Sequence, residues 1–215
     1  MATITTTGIG RQTVTPNLAR LSVTNTLEHP HQAKAFSLVA AATSELAEVL
    51  KESSIPSQSI ATTGVRVEAV TQWINDREER MGYRGVATTS ITVEDISIVA
   101  ALCESIAVRV PESTISGPNW TISSDHPVHS QARRAAALDA RARAEDFASG
   151  LQLEILGVLE ASDAPLSSLS QQQPHMDMMF SRASGGVQGG LAMESGELEV
   201  LAQLTVRFET RPATN

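Results

Sequence analysis

The sequence predicts an α+β fold: a largely antiparallel sheet packed by two long helices and one short helix, in the order ββαββαβαββ. Apolar and polar residues alternate from Leu198 to Phe208, which is typical of a half-buried strand. Apolar residues recur at three- and four-residue steps over 31–52 and 129–151, which indicates two amphipathic helices. Several predicted strands follow one another without a helix between them, which favours antiparallel pairing.

Each element follows from a local pattern. The predicted elements are strands at 3–14 and 19–27, a helix at 31–52, strands at 65–73 and 83–93, a short helix at 96–107, a strand at 115–123, a helix at 129–151, and strands at 153–159 and 198–208. The first two strands are separated by a turn at Pro16, so we expect them to form a hairpin. The charged run 75–80 is expected to be a hairpin loop, and Asp125 is expected to be the N-cap of the last helix.

Composition excludes some function classes. The 215 residues include 16 Lys and Arg and 24 Asp and Glu, giving a net charge of −8, and only 3% are aromatic. An acidic chain with few aromatic rings lacks the basic patches and stacking platforms of nucleic-acid binders. No apolar run approaches the roughly 18 residues of a membrane span. We therefore expect neither nucleic acid nor a membrane span.

The sequence contains no recognisable targeting signal and a single cysteine, so no intrachain disulfide is expected. The first ten residues lack the basic and apolar regions of a secretion signal, so a cytoplasmic location is expected for the chain as written, or a periplasmic or secreted one if a signal has been trimmed. Cys103 is the only cysteine and lies in an apolar stretch, where we expect a buried, inert thiol.

The segment 162–196 is rich in Ser, Gln, Gly and Met and has no sustained periodicity. An insertion of this length without secondary structure is uncommon inside a compact domain. We expect it to be flexible or ordered by a partner subunit.

No complete metal or catalytic motif is present. The weak candidates for metal ligands are His126, His129, His175, Met176, Met178 and Met179. An imidazole with thioethers suits Cu(I), but adaptable apolar contact is an alternative role for these methionines. No nucleophile-elbow glycines surround Ser130, and no phosphate-binding loop occurs. We expect no cofactor and no catalytic residue.

Four segments carry a family resemblance. They are Thr7-Gly8-Ile9-Gly10 with the following Val14-Thr15-Pro16-Asn17-Leu18-Ala19, then 54–62, then Gly82-Tyr83-Arg84-Gly85, and the helical 136–145, which reads AALDARARAE. Together they resemble the motifs of the SIMPL-domain family. The resemblance implies a structural role for the motif residues Gly8, Gly10, Pro16, Tyr83, Asp139, Arg141, Arg143 and Glu145. On a helix, Asp139 with Arg143 and Arg141 with Glu145 are also i,i+4 ion pairs.

The resemblance implies a single SIMPL domain over 1–215, no enzymatic activity, and self-assembly into a symmetric ring- or cage-like homo-oligomer, with links to stress or envelope roles. A Thr-rich first strand that is expected to be uncovered is compatible with assembly. The expected interface residues are Trp73, Trp120, Met176, Met178 and Met179. Two alternatives remain open: a metal- or small-molecule-binding module that uses the His and Met segments, and an adaptor that binds another protein by strand addition.

Overall fold

A computed structural model describes residues 2–74, 77–110, 112–163 and 193–213. Its strands and helices are β1 (Ala2–Val14), β2 (Leu18–His29), α1 (Gln32–Glu52), β3 (Ile60–Ile74), β4 (Arg77–Val93), α2 (Val99–Arg109), β5 (Ser113–Thr121), α3 (Pro127–Gly150), β6 (Leu153–Ser162) and β7 (Leu198–Pro212). The α+β class and the predicted element order are confirmed.

The strands form two antiparallel sheets rather than the one that was predicted. One sheet has the order β1-β7-β6 and the other β3-β4-β2-β5. The expected hairpin of the first two strands is wrong, because β1 pairs with β7 along its whole length and β2 pairs with β4 and β5. Alternation along a strand reports which face is buried, but it does not report the pairing partner.

The two sheets belong to two compact units. The first unit contains β1, α3, β6 and β7, and α3 packs mainly on β1 and β7. Its helix presents a stripe of buried alanines, namely Ala132, Ala136, Ala140, Ala144 and Ala148. A Cβ at Gly8 would overlap the carbonyl oxygen of Ala136, and one at Gly10 would overlap that of Ala132. The two glycines therefore let the helix backbone lie directly on β1, so this strand is covered, contrary to expectation.

The second unit contains the four-stranded sheet with α1 and α2 on one face. Its core is mostly aliphatic and contains, among others, Leu21, Leu46, Leu50, Ile91, Leu102 and Ile106. The backbone of α1 approaches β4 at Gly85, where an added Cβ would lie 2.9 Å from the carbonyl oxygen of Ala35. Arg109 of α2 forms ion pairs with Glu45 and Glu52 of α1, which join the two helices.

Two local predictions differ from the structure. His126, rather than Asp125, is the N-cap of α3, and its Nδ1 accepts a hydrogen bond from the backbone N–H of Val128 at 3.2 Å. The charged run 75–80 is not a loop throughout, because β4 begins at Arg77 and pairs with β3. Charged residues are tolerated in this part of the hairpin because residues 77–80 are exposed.

Candidate interaction surfaces

The family-motif helix α3 is joined to β1 by a carboxylate. Asp139 Oδ2 accepts the backbone N–H of Ile9 at 2.8 Å and the Nε–H of Arg143 at 2.9 Å. These two hydrogen bonds hold the pKa of the Asp139 carboxyl below its ordinary value. Thr6 also donates its hydroxyl hydrogen to the carbonyl oxygen of Ala140 at 2.7 Å. The motif thus fastens the helix to the edge strand on which it lies.

The other motif residues are placed by packing and by surface pairs. Arg141 and Glu145 form the predicted i,i+4 ion pair at 2.8 Å on the exposed side of α3. Pro16, in the connection from β1 to β2, is buried. Tyr83 is half-buried on β4, and its hydroxyl oxygen accepts a hydrogen bond from Arg80 at 2.8 Å.

Of the predicted metal ligands, the structure describes His126 and His129, and both ring systems make local hydrogen-bond contacts. His126 is engaged as a helix cap, and a ring nitrogen of His129 lies 3.1 Å from the carbonyl oxygen of Ser123. Across the described ranges, no group of three His, Cys, Asp or Glu side chains could hold a metal ion. The remaining candidates, His175, Met176, Met178 and Met179, lie outside the described residues, as does most of the insertion 162–196.

The single cysteine has the environment that the sequence predicted. Cys103 is buried in the core of the second unit, and burial raises the pKa of its thiol. A raised pKa keeps the thiol protonated and poorly nucleophilic.

The two tryptophans occupy opposite environments. Trp73 lies near the tip of the β3–β4 hairpin with 73% of its surface exposed, as a contact residue would be. Trp120 instead lies in the core of the second unit and is only 9% exposed. The structure therefore places Trp120 with the core residues rather than at the surface.

Among the described strands β6 is an edge strand, on which Leu153 and Ile155 pack against the core and the later apolar side chains are exposed. Leu156, Val158 and Leu159 are 47%, 61% and 53% exposed, and β6 pairs with β7 on one side only. Two register shifts against β7, between Ile155 and Gly157 and between Val158 and Glu160, interrupt its alternation.

Strand β3 is a second uncovered edge. Among the described strands, this 15-residue strand pairs only with β4, and residues 61–66 are exposed throughout. It extends past the end of β2, whose last paired residue, His29, lies opposite Tyr83. The hairpin from Val70 to its tip is thus a two-stranded ribbon, an arrangement that is at most marginally stable alone in water.

Sequence reasoning identified both strands but not their exposure. Alternation in β6 predicted a buried face, whereas α3 covers mainly β1 and β7 and leaves β6 open. The sequence carried no signal for this difference, because β6 also contains a glycine, Gly157, and only the structure shows that nothing lies within 4 Å of a Cβ there.

The fold and these surfaces define an α+β protein in which two of the edge strands, β6 of the first unit and β3 of the second, carry exposed apolar side chains such as Val158 and Val65. The chain belongs to the SIMPL family: the sequence model of that family, described as a protein of unknown function (DUF541), matches residues 4–208. The match includes residues of both units. Within the described part of the chain, no helix is long and apolar enough to cross a bilayer.

Other comparisons add little. No curated protein matches the chain. Among solved structures, the chain is similar to an unknown protein from Galdieria sulphuraria with a TM-score of 0.24 and 10% identity, over 91% of this chain and 83% of that one.

Proposed function

We propose that this chain is a non-enzymatic SIMPL-domain protein that assembles with copies of itself into a symmetric, ring- or cage-like homo-oligomer by strand pairing. The observation that carries the proposal is the uncovered apolar edge of β6. An edge strand presents unpaired N–H and C=O groups, which act as a template for another strand.

Strand β6 has two register shifts against β7 but lacks two other devices that protect an edge, lysine and proline. Its sequence, LEILGVLEAS, contains neither lysine nor proline. Its two charged residues, Glu154 and Glu160, are paired with Arg211 and Arg207 of the neighbouring strand. Because these charges are matched within the sheet, they add little net repulsion against an incoming strand.

Burial of the three exposed side chains supplies a driving force. Fully burying a Leu or Val side chain is worth about 1.5–3 kcal/mol, so covering the exposed half of each contributes roughly 1 kcal/mol. When the β6 strands of two copies pair, each contributes three such side chains. These six side chains give the strand-pairing interface an apolar centre.

Light scattering coupled to size-exclusion chromatography tests the proposal. The wild-type chain is expected to run at a multiple of 22.9 kDa, and Val158→Lys is expected to lower that mass by placing a charge on the edge. Leu138→Lys is the matched control, because Leu138 is an exposed residue of α3 in the same unit. A wild-type monomer at micromolar concentration contradicts the proposal.

The family resemblance also implies a role in stress response or at the cell envelope. Assembly is the biochemical property through which we propose that such a role operates. A strain carrying Val158→Lys at normal protein level should then behave as a deletion strain under oxidative or envelope stress, whereas Leu138→Lys should behave as wild type.

A further inference from the structure

The edge strand β3 contains a regular stretch bounded by two irregularities. Its pairing with β4 shifts register between Thr62 and Gly64 and again between Val70 and Thr71. Between these points seven residues, Gly64–Val70, pair with β4 without interruption. Val67 is the midpoint of this stretch.

The residues on either side of the midpoint carry opposite charges. Arg66 and Glu68 project from one face of β3 with 67% and 46% of their side chains exposed, and they form an exposed ion pair within the chain, with Arg66 Nε 3.5 Å from Glu68 Oε2. Val65, Val67 and Ala69 project from the other face, because side chains alternate along a strand. Val67 pairs with Gly85, and Gly85 lies against α1, so this apolar face is on the helix side of the sheet.

We propose that β3 pairs antiparallel with β3 of a second copy of this chain, around a two-fold axis at Val67. This register places Arg66 opposite Glu68 of the partner subunit, and the symmetry repeats that pair. It also places Val65 opposite Ala69 of the partner subunit on the apolar face. The inference rests on the proposed self-assembly and names one of its interfaces.

Charge selects this register over its neighbours. A two-fold axis moved by one residue places either Arg66 opposite Arg66 of the partner subunit, or Glu68 opposite Glu68 of the partner subunit. Like charges directly opposite one another across strands are destabilising, whereas opposite charges stabilise the pair. The order Arg-Val-Glu is therefore self-complementary only when Val67 lies on the axis.

The pairing would also remove the exposed edge. Two four-stranded sheets would join into one sheet of eight strands, with the helices of both copies on the same side. Val65, which is 55% exposed, would then lie among apolar side chains of both copies. Such an isologous contact is the commonest symmetric arrangement of protein subunits.

A single engineered cysteine tests the axis. In Val67→Cys the two thiols of a pair face each other at a separation that a disulfide can span, so mild oxidation should convert most of the protein to a covalent dimer. Val65→Cys is the matched control, because the register places its two thiols four positions apart, about 13 Å. The wild-type chain, whose only cysteine is buried, should give no dimer.

Complementary variants test the register independently of the disulfide. Alone, Arg66→Glu and Glu68→Arg each create like-charge pairs and should weaken the β3 contact. Mixed together, the two variants should associate, because the carboxylate introduced in one chain then faces the guanidinium introduced in the other. Mixing does not relieve repulsion within a chain, including any between the introduced guanidinium and Arg84. If association is recovered on mixing, the two positions are therefore in contact between chains.

The outcomes separate this inference from the proposed function. If the wild-type protein assembles but Val67→Cys gives no more dimer than Val65→Cys, the β3 interface is wrong and assembly stands. If light scattering shows a monomer and Val67→Cys does not cross-link, both the proposed self-assembly and the β3 interface are wrong. Cross-linking specific to Val67 together with recovery on mixing supports the two-fold pair.

Discussion

The backbone N–H of Ile9 donates to the Asp139 carboxylate at 2.8 Å, and this contact connects strand β1 with a residue of α3 130 positions away. An acidic side chain from the covering helix thereby occupies a donor of an edge strand. By contrast, the edge strands β3 and β6 leave Val65 and Val158 more than half exposed. Since protected edges resist strand addition, β3 and β6 are the edges on which we base assembly.

Asp139→Ala should destabilise the protein near neutral pH, because it removes the acceptor for Ile9 and the partner of Arg143. We expect the Tm to fall by about 2–4 °C, as for a modest loss of stability in a chain of this size. Differential scanning calorimetry measures the change. Asp146→Ala, which removes an exposed carboxylate from the same helix, should leave the Tm within about 1 °C of wild type, in line with surface substitutions generally.

The effect of Asp139→Ala should depend on pH. The folded pKa of Asp139 lies below its ordinary value, so the carboxylate contributes stability that is fully present above the ordinary pKa of an aspartate. That contribution is lost as the pH falls through the lowered folded pKa. The Tm difference between wild type and Asp139→Ala should therefore be constant near neutrality and shrink in acid; a difference that grows in acid would contradict this account.

Gly8→Ala and Gly10→Ala should each destabilise the first unit strongly. The added Cβ would meet the backbone of α3, which cannot move aside as a flexible side chain can. Overpacking typically costs about 1–3 kcal/mol, and we expect the upper end of that range here because backbone atoms are in the way; urea denaturation measures the loss. Gly157→Ala is the matched control in the same unit, since nothing lies within 4 Å of a Cβ there. If Gly8→Ala unfolds at the wild-type urea concentration, the close approach of helix and strand is wrong.

Local sequence patterns predict most of the helices and strands of this fold. The arrangement of the strands in sheets depends on pairing between segments that are distant in the sequence. The spacing of Val39 and Leu46 indicates α1, and the alternation from Leu198 to Phe208 indicates β7, because helix and strand periods differ. That β7 pairs with β1 depends on contacts nearly 200 residues apart, which no local period encodes. The exposure of Val158 likewise depends on where α3 lies, so the sequence indicated the strand but not its open surface.

Thr89→Val should stabilise the second unit. Thr89 is buried, and its hydroxyl oxygen has no hydrogen-bond partner in the described structure. Valine has nearly the same shape and removes the unpaired polar group, for an expected gain of about 1 kcal/mol. Thr6→Val is the opposite case, because Thr6 donates a hydrogen bond to Ala140. The free energy of unfolding of Thr6→Val should be about 1 kcal/mol lower than that of the wild type. Urea denaturation of both variants tests whether Thr89→Val raises and Thr6→Val lowers the free energy of unfolding.

Two different edges on one subunit predict that no single substitution reduces the assembly to monomers. Arg66→Glu should weaken the β3 contact and leave the β6 contact intact, whereas Val158→Lys should do the reverse, so each variant should remain larger than 22.9 kDa. The combination Arg66→Glu/Val158→Lys should run as a monomer in light scattering. Both residues are exposed, so circular dichroism should show the wild-type fold in all three variants. A monomer produced by either substitution alone would mean that one edge holds the whole assembly together, and a double variant of undiminished mass would place the contacts elsewhere.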